Sequence, residues 1–420
     1  MTLPVIALLG RKDEPTDAVE EYCRYLASAL HAHEIDMQIR RVPWEKHGWR
    51  ESLKVLKLMA ADWRGKWVIL QYTALAWSSR GFPLRFLRVL EILKAAGARV
   101  GVVFHDVEPF PGSRLTDLVR RRVQVHVMRR ALKAADLAVL TVPLYKLSWL
   151  PFTPINAVYT DPFAPSRSKI SLDTFDRHGL KSSSEGRKEI EARNGATDNP
   201  SPLQRKCHFL PVGPNLPITE RQAPHASQCG IPVIGVFSIT GGETGSQETQ
   251  TIIVATRSAS EKLGRLRLAV FGRNAESREH ALKDGLQGAE IDLSVEGVLT
   301  QEEIVQRIRS CDVLLFVRGG ISTRRSSAIA GISCGVPMVA FVGPETSWPF
   351  QDCGVVLVSP ANLGELVDGL IYVLSDAKFR EGMALANKIA YEEHFAWTTI
   401  AARFASLLKG QKTNGKAVDT

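Results

Sequence analysis

Two adjacent arginines follow a pair of glycines in the segment GGISTRR, residues 319–325. A short apolar run precedes the glycines, and a small-residue stretch after the arginines ends at Gly335, with Pro337 two residues further on. This order predicts a buried strand, a turn, a short helix and a second buried strand. Free N–H groups at a helix N-terminus attract anions, whereas the helix dipole disfavours cations there. Arg324 and Arg325 therefore predict a phosphate or diphosphate site, with solvated surface charges as the alternative.

A histidine stands at the end of another predicted strand. His105 closes the apolar run that begins at Val102 and is followed by Asp106. Doubly wound parallel sheets bind ligands at their carboxyl edge, where this histidine is predicted to lie. Catalysis is one interpretation, and a histidine held by backbone groups at a strand end is the other.

Three residues near the first and third predicted strands are candidates for contact with an acceptor. Gly10 follows the first strand at the position of phosphate-binding turns, but no G-x-G-x-x-G is present, so dinucleotide binding is not indicated. Tyr72 and Trp77 lie just beyond the third strand, where they would stack on a ligand. Aromatic packing in the core is the alternative for both rings.

Predicted strands and helices alternate through two long stretches of the chain, which favours parallel sheets with crossover helices. They include strands over residues 67–72 and 266–271 and helices near residues 51–63 and 363–375. The predicted fold class is therefore α/β, with two doubly wound domains facing a cleft. Between them lies a segment rich in charge, Ser, Asn and Pro with little apolar periodicity, which predicts a solvated, disordered insertion. The predicted division is an acceptor-side domain (1–163), the insertion (164–203), a hinge (204–217), a second domain (218–395), a C-terminal helix crossing back to the first domain (396–409) and a frayed tail (410–420).

The composition is typical of a soluble globular protein, with 45% hydrophobic and 23% charged residues in 420. No apolar run approaches the roughly 18 to 20 residues that cross a bilayer, and the N-terminal apolar stretch is too short for a signal peptide. Six scattered cysteines without a C-x-x-C pair predict buried thiols, not disulfides or a zinc site.

Positive charge is concentrated in the N-terminal part of the chain. Residues 1–160 contain 24 Lys and Arg against 15 Asp and Glu, whereas residues 161–420 contain 29 of each. Much of the excess lies in a predicted amphipathic helix between Arg114 and Lys133. Such a helix predicts attraction to anionic lipid or to an acidic ligand, with a solvated helix face as the alternative. The arginines expected to face lipid are Arg120, Arg121, Arg122, Arg129 and Arg130.

Several short motifs, taken in order, resemble the family 4 glycosyltransferases. These enzymes have the GT-B architecture of two Rossmann-like domains, and the likeness covers almost the whole chain apart from the insertion. Each motif is weak alone, and their order and spacing are more specific. The matching motifs are VVFHD (102–106), PVGPN (211–215), FGR (271–273), EGVL (296–299) and SCGVPMVA (333–340).

This resemblance implies transfer of a hexose from a nucleotide sugar with retention of the anomeric configuration. The donor is a substrate, and neither a cofactor nor a metal ion is implied, since the chain has no DxD motif. The candidate catalytic residues are His105, which matches the family's histidine at the donor sugar, and Arg273, Arg324 and Arg325, whose guanidinium groups fit phosphate oxygens in pairs. The candidate donor-binding residues are Gly272, Glu296, Gly297, Gly320, Ser322, Thr323, Gly343 and Glu345, and the candidate acceptor-side residues are Gly10, Tyr72 and Trp77.

The chain departs from the family at one pair of positions. Ser322 and Ala330 stand where the family carries two glutamates, which indicates a variant branch. Glu345 is a candidate to replace them by binding sugar hydroxyls, or it is a plain turn residue. For Glu296, contact with the nucleoside and a surface charge at a strand end are both open.

The expected function is synthesis of an envelope glycan or lipid-linked saccharide. A non-catalytic nucleotide-sugar-binding protein and a GT-B nucleotide-sugar epimerase are the alternatives. The expected location is the cytoplasm, either free or peripheral on the inner face of the membrane, and nucleic acid is not an expected partner.

Overall fold

The computed structural model describes residues 2–14, 17–112, 114–151, 201–218 and 230–410. Residues 164–200 of the predicted insertion and residues 411–420 of the predicted tail lie outside the described residues. The chain divides into two compact units. Unit 1 comprises Met1–Asp17, Leu30–Leu210 and Ala401–Thr420, and unit 2 comprises Ala18–Ala29 and Pro211–Ile400.

Unit 1 contains a parallel six-stranded sheet with the order β2-β1-β3-β4-β5-β6. Every residue of β3 and of β5 is buried, which explains why these strands read as continuous apolar runs. The strands are β1 (Leu3–Leu9), β2 (Ile35–Arg41), β3 (Trp67–Tyr72), β4 (Arg99–Phe104), β5 (Leu137–Leu140) and β6 (Cys207–Phe209). The helices in this stretch are α1 (Ala18–Leu30), α2 (Trp44–Ala61), α3 (Leu84–Ala95) and α4 (Leu115–Ala134).

Unit 2 contains a second parallel six-stranded sheet, with the order β12-β11-β10-β7-β8-β9. Its strands are β7 (Val233–Phe237), β8 (Leu266–Phe271), β9 (Ile291–Glu296), β10 (Val313–Phe316), β11 (Met338–Phe341) and β12 (Val355–Val358). The helices from here to the C-terminus are α5 (Gly242–Leu263), α6 (Glu279–Leu286), α7 (Gln301–Arg309), α8 (Ser326–Ser333), α9 (Leu363–Ser375), α10 (Ala377–Ala390) and α11 (Trp397–Lys409). Two sheets of this kind confirm the predicted fold class of two Rossmann-like domains.

Local sequence determines where several of these helices begin. Thr300 caps α7, since its Oγ1 accepts a hydrogen bond from the Glu303 N–H at 3.3 Å, while Glu303 Oε2 accepts one from the Thr300 N–H at 2.8 Å. The sequence predicts that α2 starts near Glu51. The helix starts earlier, at Trp44, because it continues across a kink at Gly48, which has φ 71°. Glycine adopts this left-handed conformation without steric cost.

The first helix belongs largely to unit 2, although it lies in the predicted first domain. Its Tyr25 stacks on Trp397, with ring centroids 5.8 Å apart and an interplanar angle of 9°. Trp397 also donates from Nε1 to the Pro214 carbonyl at 2.8 Å. A Cβ at Gly213 would lie 2.5 Å from the Trp397 ring, so only glycine fits at this turn.

The cysteines in the described part of the chain are buried free thiols. Burial raises the pKa of Cys207 and of Cys311 to about 12. The prediction of buried thiols is confirmed for Cys23, Cys207, Cys311, Cys334 and Cys353, while Cys229 lies outside the described residues. Among the helices that the structure describes, none is both long and apolar enough to cross a membrane.

Candidate functional site

The sheet of unit 2 reverses its strand order between β7 and β10. From β7 the chain builds β8 and β9 on one side, then returns to build β10, β11 and β12 on the other. Open parallel sheets bind ligands at the carboxyl ends of the strands beside such a reversal. Two segments follow these ends: residues 238–241, which lead from β7 into α5, and residues 317–325, which lead from β10 into α8.

The segment after β10 contains three arginines, Arg318, Arg324 and Arg325. Arg324 donates from Nε to Glu345 Oε2 at 2.7 Å in a half-buried ion pair. The Nε groups of Arg318 and Arg325 are buried and have no hydrogen-bond partner in the described part of the chain. Burial, together with the charges of Arg324 and Arg318, lowers the pKa of Arg325 to about 10, while the charge of Glu345 opposes this shift.

Arg318 is affected in the same way, since burial lowers the pKa of its guanidinium and the charge of Arg273 adds to the effect. A buried donor without a partner costs about 1 to 3 kcal/mol, and natural structures rarely leave one without a reason. An anion with several oxygen atoms would pair with these donors and offset the repulsion among the guanidinium groups. The cluster of Arg273, Arg318, Arg324 and Arg325, called here the arginine cluster, therefore suits a phosphate or diphosphate.

A buried carboxylate accompanies the arginine cluster. Glu248 on α5 is only 5% exposed, and its Oε2 accepts a hydrogen bond from the Thr240 N–H at 2.7 Å. Its Oε1 is buried without a hydrogen-bond partner among the described residues. The charge of Glu248 raises the pKa values of Arg318 and Arg325, which means that it stabilises both cations.

The sequence analysis did not identify Glu248 and Arg318 as site residues, although the sequence pattern around each of them indicates a position at the site. Glu248 precedes the buried Ile252 by one helical turn, so it occupies the inward face of an amphipathic helix. Arg318 closely follows a buried strand and directly precedes the glycine pair, so it lies at the same sheet edge as Arg324.

The loops after β10 and β11 approach each other through glycine. A Cβ at Gly320 would lie 2.4 Å from the Gly343 Cα, so neither position accepts a larger residue without backbone movement. Thr346 ties the two loops, because its Oγ1 accepts from the Gly343 N–H at 2.8 Å and donates to the Ile321 carbonyl at 2.6 Å. This junction positions Glu345 beside Arg324.

Ser322 and Thr323 are completely buried between these loops. Ser322 Oγ has no hydrogen-bond partner among the described residues, whereas the Thr323 carbonyl accepts from the Val212 N–H at 3.0 Å. The helix α8 begins at Ser326, with Arg325 as its N-cap residue in an extended conformation. Arg324 and Arg325 thus stand just before the helix and not on its first turn.

The remaining predicted donor-binding residues lie at the ends of strands β8 and β9. Gly272 has φ 93°, and its N–H is shared by the carbonyls of Glu296 and Gly297 at 3.1 and 2.9 Å. The Arg273 N–H donates to Ser238 Oγ at 3.2 Å. Glu296 accepts hydrogen bonds from Arg307, with Nε 2.8 Å from Oε2, so its carboxylate forms an ion pair at the strand end.

In unit 1, His105 lies at the end of β4 and is half-buried. Its Nε2 is 2.8 Å from Oε1 of Gln71, a side chain that is 1% exposed. The N–H groups of His105 and Asp106 both donate to the Tyr72 carbonyl, and Asp106 Oδ2 accepts from the Ala74 N–H at 2.7 Å. The ring is therefore held at the carboxyl edge of the first sheet, where the sequence predicts it.

The predicted acceptor-side aromatic residues are core residues. Tyr72 and Trp77 are both 0% exposed and pack edge-on against Phe86. Their ring faces are occupied by neighbours, which leaves no surface for a stacked ligand, and the packing alternative describes both. Gly10 lies at the predicted turn, where a Cβ would approach the Ala76 carbonyl oxygen to 2.1 Å.

Within the described ranges, no group of three or more His, Cys, Asp or Glu side chains is arranged to hold a metal ion. The groups that the arrangement offers a ligand are guanidinium donors, two carboxylates and a buried hydroxyl.

No protein-family model matches the sequence, and no curated protein matches it significantly. Solved structures match over nearly the full length. HepE of Anabaena, in complex with UDP and glucose, has a TM-score of 0.58 at 13% identity over 97% of this chain and 100% of its own. A glycosyltransferase of Rickettsia africae also has a TM-score of 0.58, at 12% identity over 98% of this chain and 100% of its own.

A Listeria monocytogenes protein assigned as a UDP-N-acetylglucosamine 2-epimerase has a TM-score of 0.54 at 12% identity, over 98% of this chain and 96% of its own. Identities this low establish the fold alone. The chain therefore has the fold of GT-B glycosyltransferases, with two Rossmann-like domains.

Proposed function

We propose that the protein transfers a sugar from a nucleoside-diphosphate sugar and that unit 2 binds the donor. The observation that carries this proposal is the pair of buried Nε groups of Arg318 and Arg325, which have no hydrogen-bond partner among the described residues at the strand reversal of the sheet. A diphosphate supplies both the negative charge and the oxygen acceptors that these donors need. HepE, which shares the fold, has been crystallised with UDP and with UDP-glucose, which supports the choice of donor class.

The chemistry proposed for the arginine cluster is stabilisation of the leaving diphosphate. Negative charge grows on the diphosphate as the glycosidic bond lengthens, and preorganised cations stabilise that charge without reorganising. Arg318 and Arg325 would bind phosphate oxygens, while Arg324 is oriented by its ion pair with Glu345. In a retaining reaction of this kind the donor phosphate accepts the proton of the acceptor hydroxyl, so no protein base is required.

Glu345 is the proposed contact for the sugar hydroxyls. Its carboxylate is 14% exposed and is oriented by Arg324 at the loop junction. In this role it would replace the glutamates whose positions are taken by Ser322 and Ala330. The proposed acceptor is an envelope glycan or a lipid-linked saccharide, and the proposed stereochemistry is retention.

A thermal-shift series with UDP, GDP, ADP and dTDP, followed by the matching nucleotide sugars, tests the donor class. A nucleotide present at about 100 times its Kd should stabilise the protein by roughly 2.7 kcal/mol. Slow hydrolysis of the bound donor in the absence of an acceptor supports transfer chemistry. Release of an isomerised sugar would instead assign an epimerase, and tight binding without turnover would assign a non-catalytic binder.

His105 is proposed to act in turnover and not in folding. We expect His105→Ala to lower the turnover number roughly tenfold or more while the melting temperature changes little, since the ring is only half-buried at the strand end, with Nε2 2.8 Å from Gln71 Oε1. Donor hydrolysis and thermal melting measured side by side check this expectation. His31→Ala, at an exposed position of the same unit, is the control. A large loss of stability with turnover intact would show that the histidine is structural.

A further inference from the structure

Three helices of unit 1 form one continuous basic layer. The central helix α3 packs against α2 on one side and α4 on the other. Together the three helices, called here the basic layer, contain thirteen Lys and Arg against four Asp and Glu. Their net charge of +9 equals that of the whole chain, so the rest of the protein is neutral on balance. The sequence analysis placed much of the positive excess in α4, and the structure adds the cations of α2 and α3 to the same layer.

Ion pairing leaves most of this charge uncompensated. Each of the four carboxylates already has a basic partner: Glu45 pairs with Arg11, Glu51 with Lys54, Glu91 with Arg88 and Asp117 with Arg120. Nine exposed cations have no carboxylate partner among the residues that the structure describes. They are Lys46, Arg50, Lys57, Arg85, Arg121, Arg122, Arg129, Arg130 and Lys133.

Arg120 does not belong to this exposed set, which corrects the sequence prediction. Its guanidinium pairs with Asp117, its Nε donates to the Arg80 carbonyl at 3.0 Å, and it lies over the Phe110 ring at 4.7 Å. These contacts hold the side chain against the protein. Arg129 also donates from Nε, to the Trp149 carbonyl at 2.7 Å, although the residue remains exposed.

Large apolar side chains project from the same layer. Leu58 on α2 is 76% exposed, Leu84 on α3 is 53% exposed and Leu115 on α4 is 81% exposed. Leu118 and Val119 continue the series on α4, at helical spacing from Leu115 and in line with Arg122. Exposed leucines interleaved with unpaired cations are a poor match for a purely charged polymer, which offers them no apolar contact. They match a lipid surface, where the headgroups take the charges and the acyl boundary takes the leucines.

We propose that the basic layer binds the surface of an anionic bilayer. The nine unpaired cations would contact lipid phosphates, and the exposed leucines would enter the headgroup region. Electrostatic attraction to anionic lipid accumulates with each cation near the surface and weakens as salt is added. Because the basic layer lies in unit 1 and the arginine cluster lies in unit 2, this proposal does not depend on the proposed donor site.

Cosedimentation of the whole protein with vesicles of 30% phosphatidylglycerol in phosphatidylcholine tests the proposal. We expect binding at low salt that weakens in 0.5 M NaCl and that is absent with pure phosphatidylcholine. The triple substitution Arg121→Gln, Arg122→Gln and Arg130→Gln should weaken partitioning roughly 100-fold. The control removes the same charge from unit 2 through Lys262→Gln, Lys283→Gln and Lys378→Gln, and it should bind as the unaltered protein does.

A second pair of substitutions separates a bilayer from a soluble polyanion. Leu115→Ser with Leu118→Ser keeps every charge and should weaken vesicle binding roughly tenfold or more, while binding to dextran sulfate stays the same. The melting temperature and the nucleotide response of each variant show that it is folded. Absence of vesicle binding at low salt would overturn the proposal, and so would an equal loss of vesicle binding in the lysine control variant. Vesicle binding that does not change in the Leu115→Ser, Leu118→Ser variant would also overturn it, in favour of an acidic polymer.

Discussion

Replacing Arg324 and Arg325 together with alanine is expected to weaken nucleoside-diphosphate binding by roughly 100- to 10,000-fold. A hydrogen bond to a charged group contributes about 1.5 to 3 kcal/mol, and the double variant removes two guanidinium groups from the proposed diphosphate site. Isothermal titration with the nucleotide that gives the largest thermal shift measures the loss. Lys262→Ala with Arg265→Ala removes two exposed cations from the same unit and serves as the control.

The same variant should remain folded, and the pKa of Arg325 gives the reason. Its folded-state pKa of about 10 lies below the ordinary value of 12.5, so folding disfavours the charged form. That cost is present at every pH below about 10 and is relieved as the pH rises through this value toward 12.5. Arg325→Met alone is therefore expected to raise the melting temperature of the ligand-free protein. Unchanged nucleotide affinity in the double variant would remove the arginine pair from the donor site.

The second large effect is expected at Glu248. Glu248→Gln keeps the size of a side chain that is 5% exposed but removes the negative charge that stabilises Arg318 and Arg325. Removing one partner from a set of buried charges costs about 3 to 5 kcal/mol. In a unit of this size that corresponds to a fall of roughly 10 °C in melting temperature.

Added diphosphate should reverse this loss, because it supplies the missing negative charge. Inorganic diphosphate is expected to raise the melting temperature of Glu248→Gln more than that of the unaltered protein. The matched control is Glu243→Gln, an exposed glutamate in the first turn of the same helix. If both variants melt alike, or if diphosphate stabilises neither, Glu248 is not the counter-charge of the arginine cluster.

The elements that local pattern controls were predicted closely from the sequence. Strands β3 (Trp67–Tyr72) and β8 (Leu266–Phe271) have the predicted bounds, as does helix α9 (Leu363–Ser375), because a buried apolar run or a capped periodic segment marks each one. The start of α2 was missed because a glycine that would normally end a helix is accommodated as a kink. Membership of α1 in unit 2 depends on ring contacts with a residue more than 300 positions away, which no local pattern records.

The candidate site was predicted in part for a related reason. Arg324 and Arg325 were identified as site residues because the residues around them in the sequence indicate a strand end and a helix start. Glu248 was missed because its importance comes from burial beside a loop some 70 residues further along the chain. For Tyr72 and Trp77 the sequence left contact with a ligand and core packing open, because the packing that covers them, against Phe86, involves a helix of the next crossover.

The order in which the two units become complete follows from their discontinuous segments. Unit 1 receives its last part from Ala401 onward, and the Leu408 carbonyl there accepts a hydrogen bond from Trp67 Nε1 at 3.0 Å. Unit 2 uses α1, the first helix to be synthesised, yet Trp397 reaches Tyr25 only after more than 300 further residues have been made. Neither unit can therefore complete its contacts until residues near position 400 have been synthesised. A chain cut at residue 210 would separate Trp67 from its hydrogen-bond acceptor at Leu408 and Trp397 from Tyr25, so we expect two half-proteins to be soluble only when they are produced together.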